Sequence, residues 1–376
     1  MILVIPDDKT MRLRVVNQRQ RFVAAPVGGA LVFVVGQGGA PAPVVPVNTV
    51  LPAITGTVRA GETLTCGTGT WTESPSSYAY QWYEDGSPII GASTNTLSVV
   101  PSMIPALLTC AVVATNGAGD STPAMSAAVS SPLRAIYQID SSARVWVHTQ
   151  GTGVAVSNPV TTWTTADGAW TLVQPTTSRK PTRTAGGVYL DGVDDYLSAN
   201  DSAGLFNGAY SVLDGFDDIE DSTTAIRQLW GSYTQGVSTG TRRCSHVNYS
   251  RPGSPSTTRQ RYLLGGNSSA AVIGLNGFSG IGVDGYDLAF RSATPGAGSA
   301  GATEMSDPLG TPVTGAWPAV ATTNDLHTVG AERINTSFSP SSYWQGTLRY
   351  HVIIGLNLND TQLATVRDAL AAEGVL

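Results

Sequence analysis

Ser341-Ser342-Tyr343-Trp344-Gln345-Gly346-Thr347-Leu348 leads into the run Arg349–Leu356 and then into Asn359-Asp360-Thr361-Gln362-Leu363. Reading this stretch decides the fold class. Thr347–Ile354 is a long apolar run of strand character, and Leu326–Gly330 upstream reads as another strand before a polar loop. A short helix comes next. Asn359 can cap it, Gln362 sits at the capping-box position, Leu363, Val366 and Leu370 form one apolar face, and Gly374 ends it. The order is strand, loop, strand, helix.

Working back from there, residues 133–376 hold further strand candidates. They are Ala135–Ile139, Val145–His148, Gly187–Leu190, Ala209–Leu213, Ile226–Leu229, Arg261–Leu264 and Tyr286–Phe290. Gly/Ser/Thr/Pro stretches such as Pro295–Gly301 separate them. One large sandwich suits this texture better than two small ones, with the last segment as its only expected helix.

The closing segment resembles that of laminin-G-like, concanavalin-A-type jelly rolls, in which a W-x-G-x-[ILV] strand runs outward and a helix ends the domain. Here Trp344, Gly346 and Leu348 carry that pattern. Gly186-Gly187-Val188-Tyr189-Leu190-Asp191-Gly192-Val193-Asp194-Asp195-Tyr196-Leu197 is similar to the early strand-turn-strand of the same families, and the two motifs occur in the right order. The resemblance implies a lectin-like binding module more than a catalyst.

Residues 46–132 carry a second signature. Cys66 lies in the alternating strand Glu62–Cys66, Trp82 in Tyr80-Gln81-Trp82-Tyr83 and Cys110 in Leu107–Val113, with turn signals at Asp85-Gly86, Gly91 and Asn116-Gly117. Cys…Trp…Cys with such turns is the immunoglobulin-like pattern. The run resembles bacterial and phage Ig-like repeats through Gly61, Leu64, Cys66, Gly69, Trp71, Tyr80, Trp82, Gly86, Cys110, Val112, Ala114, Asn116 and Gly119. Leu108 stands where antibody-type domains have a corner tyrosine. Cys66 and Cys110 can form a core disulfide. Assembly in a bacterial cytoplasm would leave them reduced, as two small core hydrophobes.

Residues 1–45 read as an arm of short strands: Met1–Ile5, Met11–Val16, Arg21–Ala25 and Leu31–Val35. The arm is too small to bury a core of its own, so it should add its strands to a neighbouring copy or to the surface the protein attaches to. Gln37–Pro43 is a linker by composition. Lys9, Arg12, Arg14, Arg19 and Arg21 against Asp7 and Asp8 give the arm +3, leaving −9 of the net −6 to the rest. This suits an acidic partner surface or, equally, a solvated strand face. The density is too low for a nucleic-acid tail.

The whole chain agrees with an all-β class. Charged residues are 13%, about half the globular average. Three cysteines imply no disulfide framework. Ile2–Ile5 is too short for a signal-peptide core, and Val23–Val35 is broken by Pro26, Gly28 and Gly29, which argues against membrane insertion.

Candidate chemistry is sparse. Asp191, Asp194 and Asp195 form an Asp-Gly turn first and a candidate ligand set for Ca2+ second, since hard cations want several oxygens. No other cofactor is expected. Asp217, Asp218, Glu220 and Asp221 are the densest carboxylates. A glycosidase needs two carboxyls flanking the scissile bond. Ser222 breaks the Glu-x-Asp-x-Glu pattern of jelly-roll glucanases, so a solvated loop is the better reading. His148, His246, His327 and His351 show no zinc-enzyme spacing. Cys244, with basic neighbours, reads as a lone semi-buried cysteine. Trp163, Trp170 and Trp344 read as core. Sugar rings stack on aromatics beside polar groups, which nominates Asp284, Tyr286, Trp317, Tyr249, Trp230 and Tyr233, with Asp284–Tyr286 and Trp317 the preferred region.

Arm, Ig-like sandwich and lectin-like jelly roll, in that order, resemble an accessory protein of a tailed phage or gene-transfer-agent particle: a head spike, head fibre or tail fibre. That resemblance implies a non-enzymatic virion-surface protein, assembled in the bacterial cytoplasm and released by lysis. Residues 1–45 would meet a capsid or tail protein, the jelly roll would meet a host glycan, and the chain would form a homo-oligomer, with a trimer as the first expectation. The alternatives are a polysaccharide depolymerase and a bacterial surface adhesin.

Overall fold

The computed structural model describes side chains for residues 42–148, 159–199, 209–216, 229, 327–331 and 343–376, together with the backbone of further strands before and between them. The fold is all-β, a small Ig-like sandwich followed by a large jelly-roll sandwich, with a β-rich arm and a C-terminal helix. In the arm, β1 (Ile2–Ile5) and β2 (Gln20–Val27) both pair antiparallel with β3 (Ala30–Gln37), which is central. The expected strand Met11–Val16 lies outside the described residues.

The small sandwich opens with β4 (Asn48–Val50), paired to Thr70–Trp71. One sheet holds Thr63–Cys66 between Thr96–Ser98 and Ile54–Thr55, and the other is built on the hairpin-like pair Ser77–Glu84 and Leu108–Asn116. Alternation puts Leu64, Cys66, Trp82, Leu97, Leu108, Cys110 and Val112 inside. Trp82 stands directly opposite Cys110 in the register, and its indole N–H donates to the Thr94 carbonyl at 2.9 Å.

The expected strand Ala135–Ile139 is instead helical, as α1 (Arg134–Ile139). Leu133, Ile136 and Tyr137 are buried, the i, i+3, i+4 spacing of a helix rather than the alternation of a strand. Asp140 ends α1 and its Oδ2 accepts the Gly355 N–H at 2.7 Å, tying the entry of the large sandwich to its last strand.

Each sheet of the large sandwich has eight strands. In the first, Gln345–Ile354 is flanked on one edge by Tyr210–Asp218, and beyond it by Tyr286–Ser292, Gly301–Ser306 and Val313–Trp317. Its other edge is shared by Gly187–Asp191 and Arg144–Val147. The second runs Thr162–Thr164, Thr171–Val173, Leu197–Asn200, Leu326–Val329, Ile226–Tyr233, Arg242–Tyr249, Arg259–Leu264 and Val272–Phe278. Between the sheets lie Trp146, Trp163, Leu172, Leu190, Phe216, Trp344, Leu348 and Ile353. Trp163 and Trp344 are buried as expected, and Trp170 is half-buried under the Arg144 guanidinium, 3.4 Å from its ring centroid.

The outer face of the first sheet is covered by α2 (Asp360–Glu373), whose capping box at Asn359 and Gln362 is fully formed. Leu363, Val366 and Leu370 join Leu213, Tyr350, Val352 and Ile354 in one apolar cluster, which continues through Leu133 and Ile136 to Ile104, Met103 and Trp82. Arg59 of the small sandwich donates to the Glu373 carboxylate at 2.8 Å and to its carbonyl at 3.0 Å. The Ig-like sandwich is therefore docked on the large one through a helical layer.

Candidate functional site

The strand register defines two ends of the large sandwich. The chain enters at the Ile353–Gly355 end, where Arg144 pairs with Ile353 and Asp140 binds Gly355. At the opposite end Asp191 pairs with Gln345, Asp218 with Gly346 and Tyr286 with Phe216. The Asp191 and Asp218 positions thus lie at the same end of the sheet, on opposite faces by register, with Tyr343 and the start of Tyr286–Ser292 toward that end. A register shift between Gly215 and Phe216 marks a bulge. Gly215 is required there because a Cβ would fall 2.0 Å from the Tyr350 ring. Phe216 then packs edge-on against Trp344, centroids 5.6 Å apart, sealing the interior below the rim.

Asp191, Asp194 and Asp195 offer carboxylate oxygens all within 4.8 Å of one another. Their local bonds are those of a turn. Asp191 Oδ1 accepts from the Val193 and Asp194 N–H groups at 2.8 and 3.3 Å, and Asp195 Oδ2 accepts from the Asp191 N–H at 3.1 Å. Arg179 Nε lies 3.9 Å from Asp194. Burial pushes the Asp195 carboxyl up to about 6, with Asp191 and Asp194 adding in the same direction against the stabilising N–H bond. Turn chemistry accounts for the hydrogen bonds, and the oxygens left over have the hardness that suits Ca2+.

The preferred aromatic region is not brought together. Ser292 lies six residues along its strand from Tyr286, and Trp317, opposite Gly301, lies two positions beyond the Ser292–Thr303 level. At about 3.4 Å per residue that separates them by about 27 Å along the strand direction. Tyr286 belongs to the acidic rim and Trp317 to the opposite end. Trp230 is also not beside a loop. It lies within Ile226–Tyr233, paired with His246 on one side and Val329 on the other. Tyr233 and Tyr249 end their strands, Tyr233 opposite Arg242 and Tyr249 opposite Ile226, hence at opposite ends of that sheet. Asp284, Glu220 and Asp221 lie outside the described residues, as do Arg12, Arg14 and Arg19, while Arg21 lies in β2 opposite Gly36.

Sequence reasoning missed a buried polar network. His351 Nδ1 donates to Asp214 Oδ1 at 2.6 Å, and His351 Nε2 faces His327 Nε2 at 3.0 Å. Asp214 and His351 are opposite each other in one sheet, while His327 belongs to the other. The three are at most 2% exposed, and the stacked rings of Trp146, His351 and His327 cross the interior. Burial, then His351 and Arg144, hold His327 well below the usual histidine range, so it stays neutral. The two Nε2 atoms face each other across the sheets with room for a single proton between them, the tautomers deciding which ring donates. The available signal was a lone polar residue at an inward position of each apolar strand. In the small sandwich the Cys66 and Cys110 thiols are free and buried, donating to the Gly67 and Ala111 carbonyls at 3.5 and 3.7 Å, and their mutual interaction pushes Cys110 well up and Cys66 down.

No family model matches the chain, and no curated protein matches it. Among solved structures, the Trypanosoma rangeli sialidase in complex with 2,3-difluorosialic acid is similar at 12% identity and a TM-score of 0.42, over 70% of this chain and 43% of the sialidase. The same sialidase in complex with the inhibitor DANA is similar at 11% identity and a TM-score of 0.41, over 93% of this chain and 52% of the sialidase. A heptameric SAP-like pentraxin from Limulus polyphemus is similar at 13% identity and a TM-score of 0.29, over 44% of this chain and 69% of the pentraxin. The chain spans about half the length of the sialidases it matches. These are likenesses of β-sheet architecture and do not transfer a site.

Proposed function

We propose that the chain is a non-enzymatic surface protein of a phage-like particle, a head spike or a head or tail fibre. It attaches through its basic arm and presents the far rim of the large sandwich to host-surface polysaccharide. The observation that carries this reading is the placement of the acidic and aromatic positions. Asp191, Asp194, Asp195, Asp217, Asp218, Tyr286 and Tyr343 collect at the end of the sandwich opposite to the one where the chain arrives from the arm and the Ig-like domain. Carboxylates accept hydrogen bonds from sugar hydroxyls, and a tyrosine face packs on the apolar side of a pyranose ring. The Ig-like sandwich docked through Arg59 and Glu373 supports the same reading, since it stands between the arm and the large sandwich along the chain.

A glycan array with the full chain, with and without Ca2+, tests it. Binding that Tyr286→Ala and Asp218→Ala each weaken at least tenfold, with Trp317→Ala unchanged, supports the far rim. Loss on Trp317→Ala alone would move the site to the other end. Release of reducing ends from host capsule would replace binding by hydrolysis, and absence of the chain from purified particles would remove the virion role.

A further inference from the structure

From Phe22 to Val58, 37 consecutive residues include no Asp, Glu, Lys, Arg or His. At the chain's 13% charge that length would ordinarily hold several, and a solvated surface needs them. The run covers β2, β3 and β4. In the arm sheet, cross-strand partners share a face. Leu3, Phe33 and Ala24 lie on one face with Ile5 and Leu31, and Ile2, Val34 and Val23 on the other with Val4 and Val32. Both faces are therefore apolar by position, and among the described residues no second sheet or helix is layered on either. Further along the run, around β4, Val44, Val47, Val50 and Leu51 are 56%, 56%, 59% and 60% exposed. The uncharged run thus holds both the arm sheet and these exposed apolar positions of the small sandwich.

We infer that residues 22–58, with β1, form the self-association surface of this chain, and that its partner is a second copy. Two strands about 27 Å long and one about 14 Å long, about 4.8 Å apart, give about 300 Å² per face, less than half of the ~800 Å² a stable pair buries on each side. One face alone falls short, and the second face and the exposed apolar positions around β4 add to it. A dissimilar partner would be selected by complementary charge, and this surface has none to offer, whereas permanent homo-oligomers bury uncharged apolar surface. The edges are poor templates, because β1 has only four residues and β2 carries Pro26, so association runs through the faces. Lys9, Arg12, Arg14 and Arg19 precede the run and are left for an acidic particle surface. None of this depends on the glycan reading.

Native mass spectrometry and light scattering of the full chain test the inference. The expected species is a multiple of 39.0 kDa. It should persist at about 1 M salt, where charge pairs are screened beyond about 3 Å. Phe33→Asp and Val34→Asp, on opposite faces, should each raise the dissociation constant at least tenfold. The double change Val47→Asp with Leu51→Asp, at exposed positions that the small sandwich does not need for folding, should raise it severalfold. A monomer at tens of micromolar, an oligomer that dissociates in high salt, or variants that assemble like the parent would each overturn it.

Discussion

In the small sandwich the buried polar side chains are serines, Ser121, Ser126 and Ser131, and two thiols meet beside Trp82. In the large one Arg144, Asp214, His327 and His351 are all at most 2% exposed, and three of them form a hydrogen-bonded line from one sheet to the other. Both interiors are closed, but by different means. Thiols count as apolar surface and leave the packing free to adjust. A line of imidazoles and a carboxylate fixes which residue faces which, at the cost of burying groups that must stay paired. The difference predicts that the two sandwiches respond differently to redox state, to pH and to removal of a single buried partner.

The largest effect should come from breaking the line. Asp214→Ala leaves His351 without its acceptor in a dry interior and should cost about 3–5 kcal/mol. Urea unfolding followed by tryptophan fluorescence checks this, and a loss below about 1 kcal/mol would mean that the line does not hold the sheets. The small sandwich should respond to oxidation instead. Joining Cys66 to Cys110 closes a 44-residue loop and should add up to about 4 kcal/mol in the chain-entropy picture. Thiol titration after mild oxidation, alongside a melting curve, measures it, and thiols that stay free would show that the sulfurs do not come within bonding reach.

Acid should separate the two again. His327 has a folded pKa below its unfolded value, so the unfolded chain binds more protons; the stability it contributes is complete above about pH 6.5 and is lost as pH falls below that. His148 acts in the same direction. The small sandwich has no histidine. Between pH 7 and 5.5 the large sandwich should weaken by at most about 1.4 kcal/mol per pH unit for each of these histidines, and His327→Gln should flatten the slope. Asp195 gives the smallest effect, with the opposite sign. Its raised value of about 6 means that its contribution is complete below the unfolded value near 3.8 and lost as pH rises through 6. Asp195→Asn should therefore stabilise the chain at pH 7 by about 1–2 kcal/mol, with little change at pH 4. Equal melting temperatures at both pH values would count against the shift.

The same contrast explains what could be read from the sequence. Cys66, Trp82 and Cys110 lie within one short run whose alternation and turns are local, so the Ig-like sandwich was legible with its core. Asp214 is 137 residues from His351, and His351 is 24 from His327. Nothing local marks them as neighbours, and only the pairing of strands brings them together. Register also decides the candidate site. Tyr286 and Trp317 are close in sequence and both border polar loops, yet two intervening strand reversals put them at opposite ends. The helix at Arg134–Ile139 reads as a strand because a five-residue apolar window fits both periods, and the burial of Leu133 one turn earlier settles it.

Glu373 is synthesised 314 residues after Arg59, the residue it holds. Domains generally fold as units in the order of synthesis, so the Ig-like sandwich is made well before the acceptor that anchors it. The Arg59–Glu373 pair forms only once α2 has been made, which makes this contact a late step of assembly rather than an early guide to it.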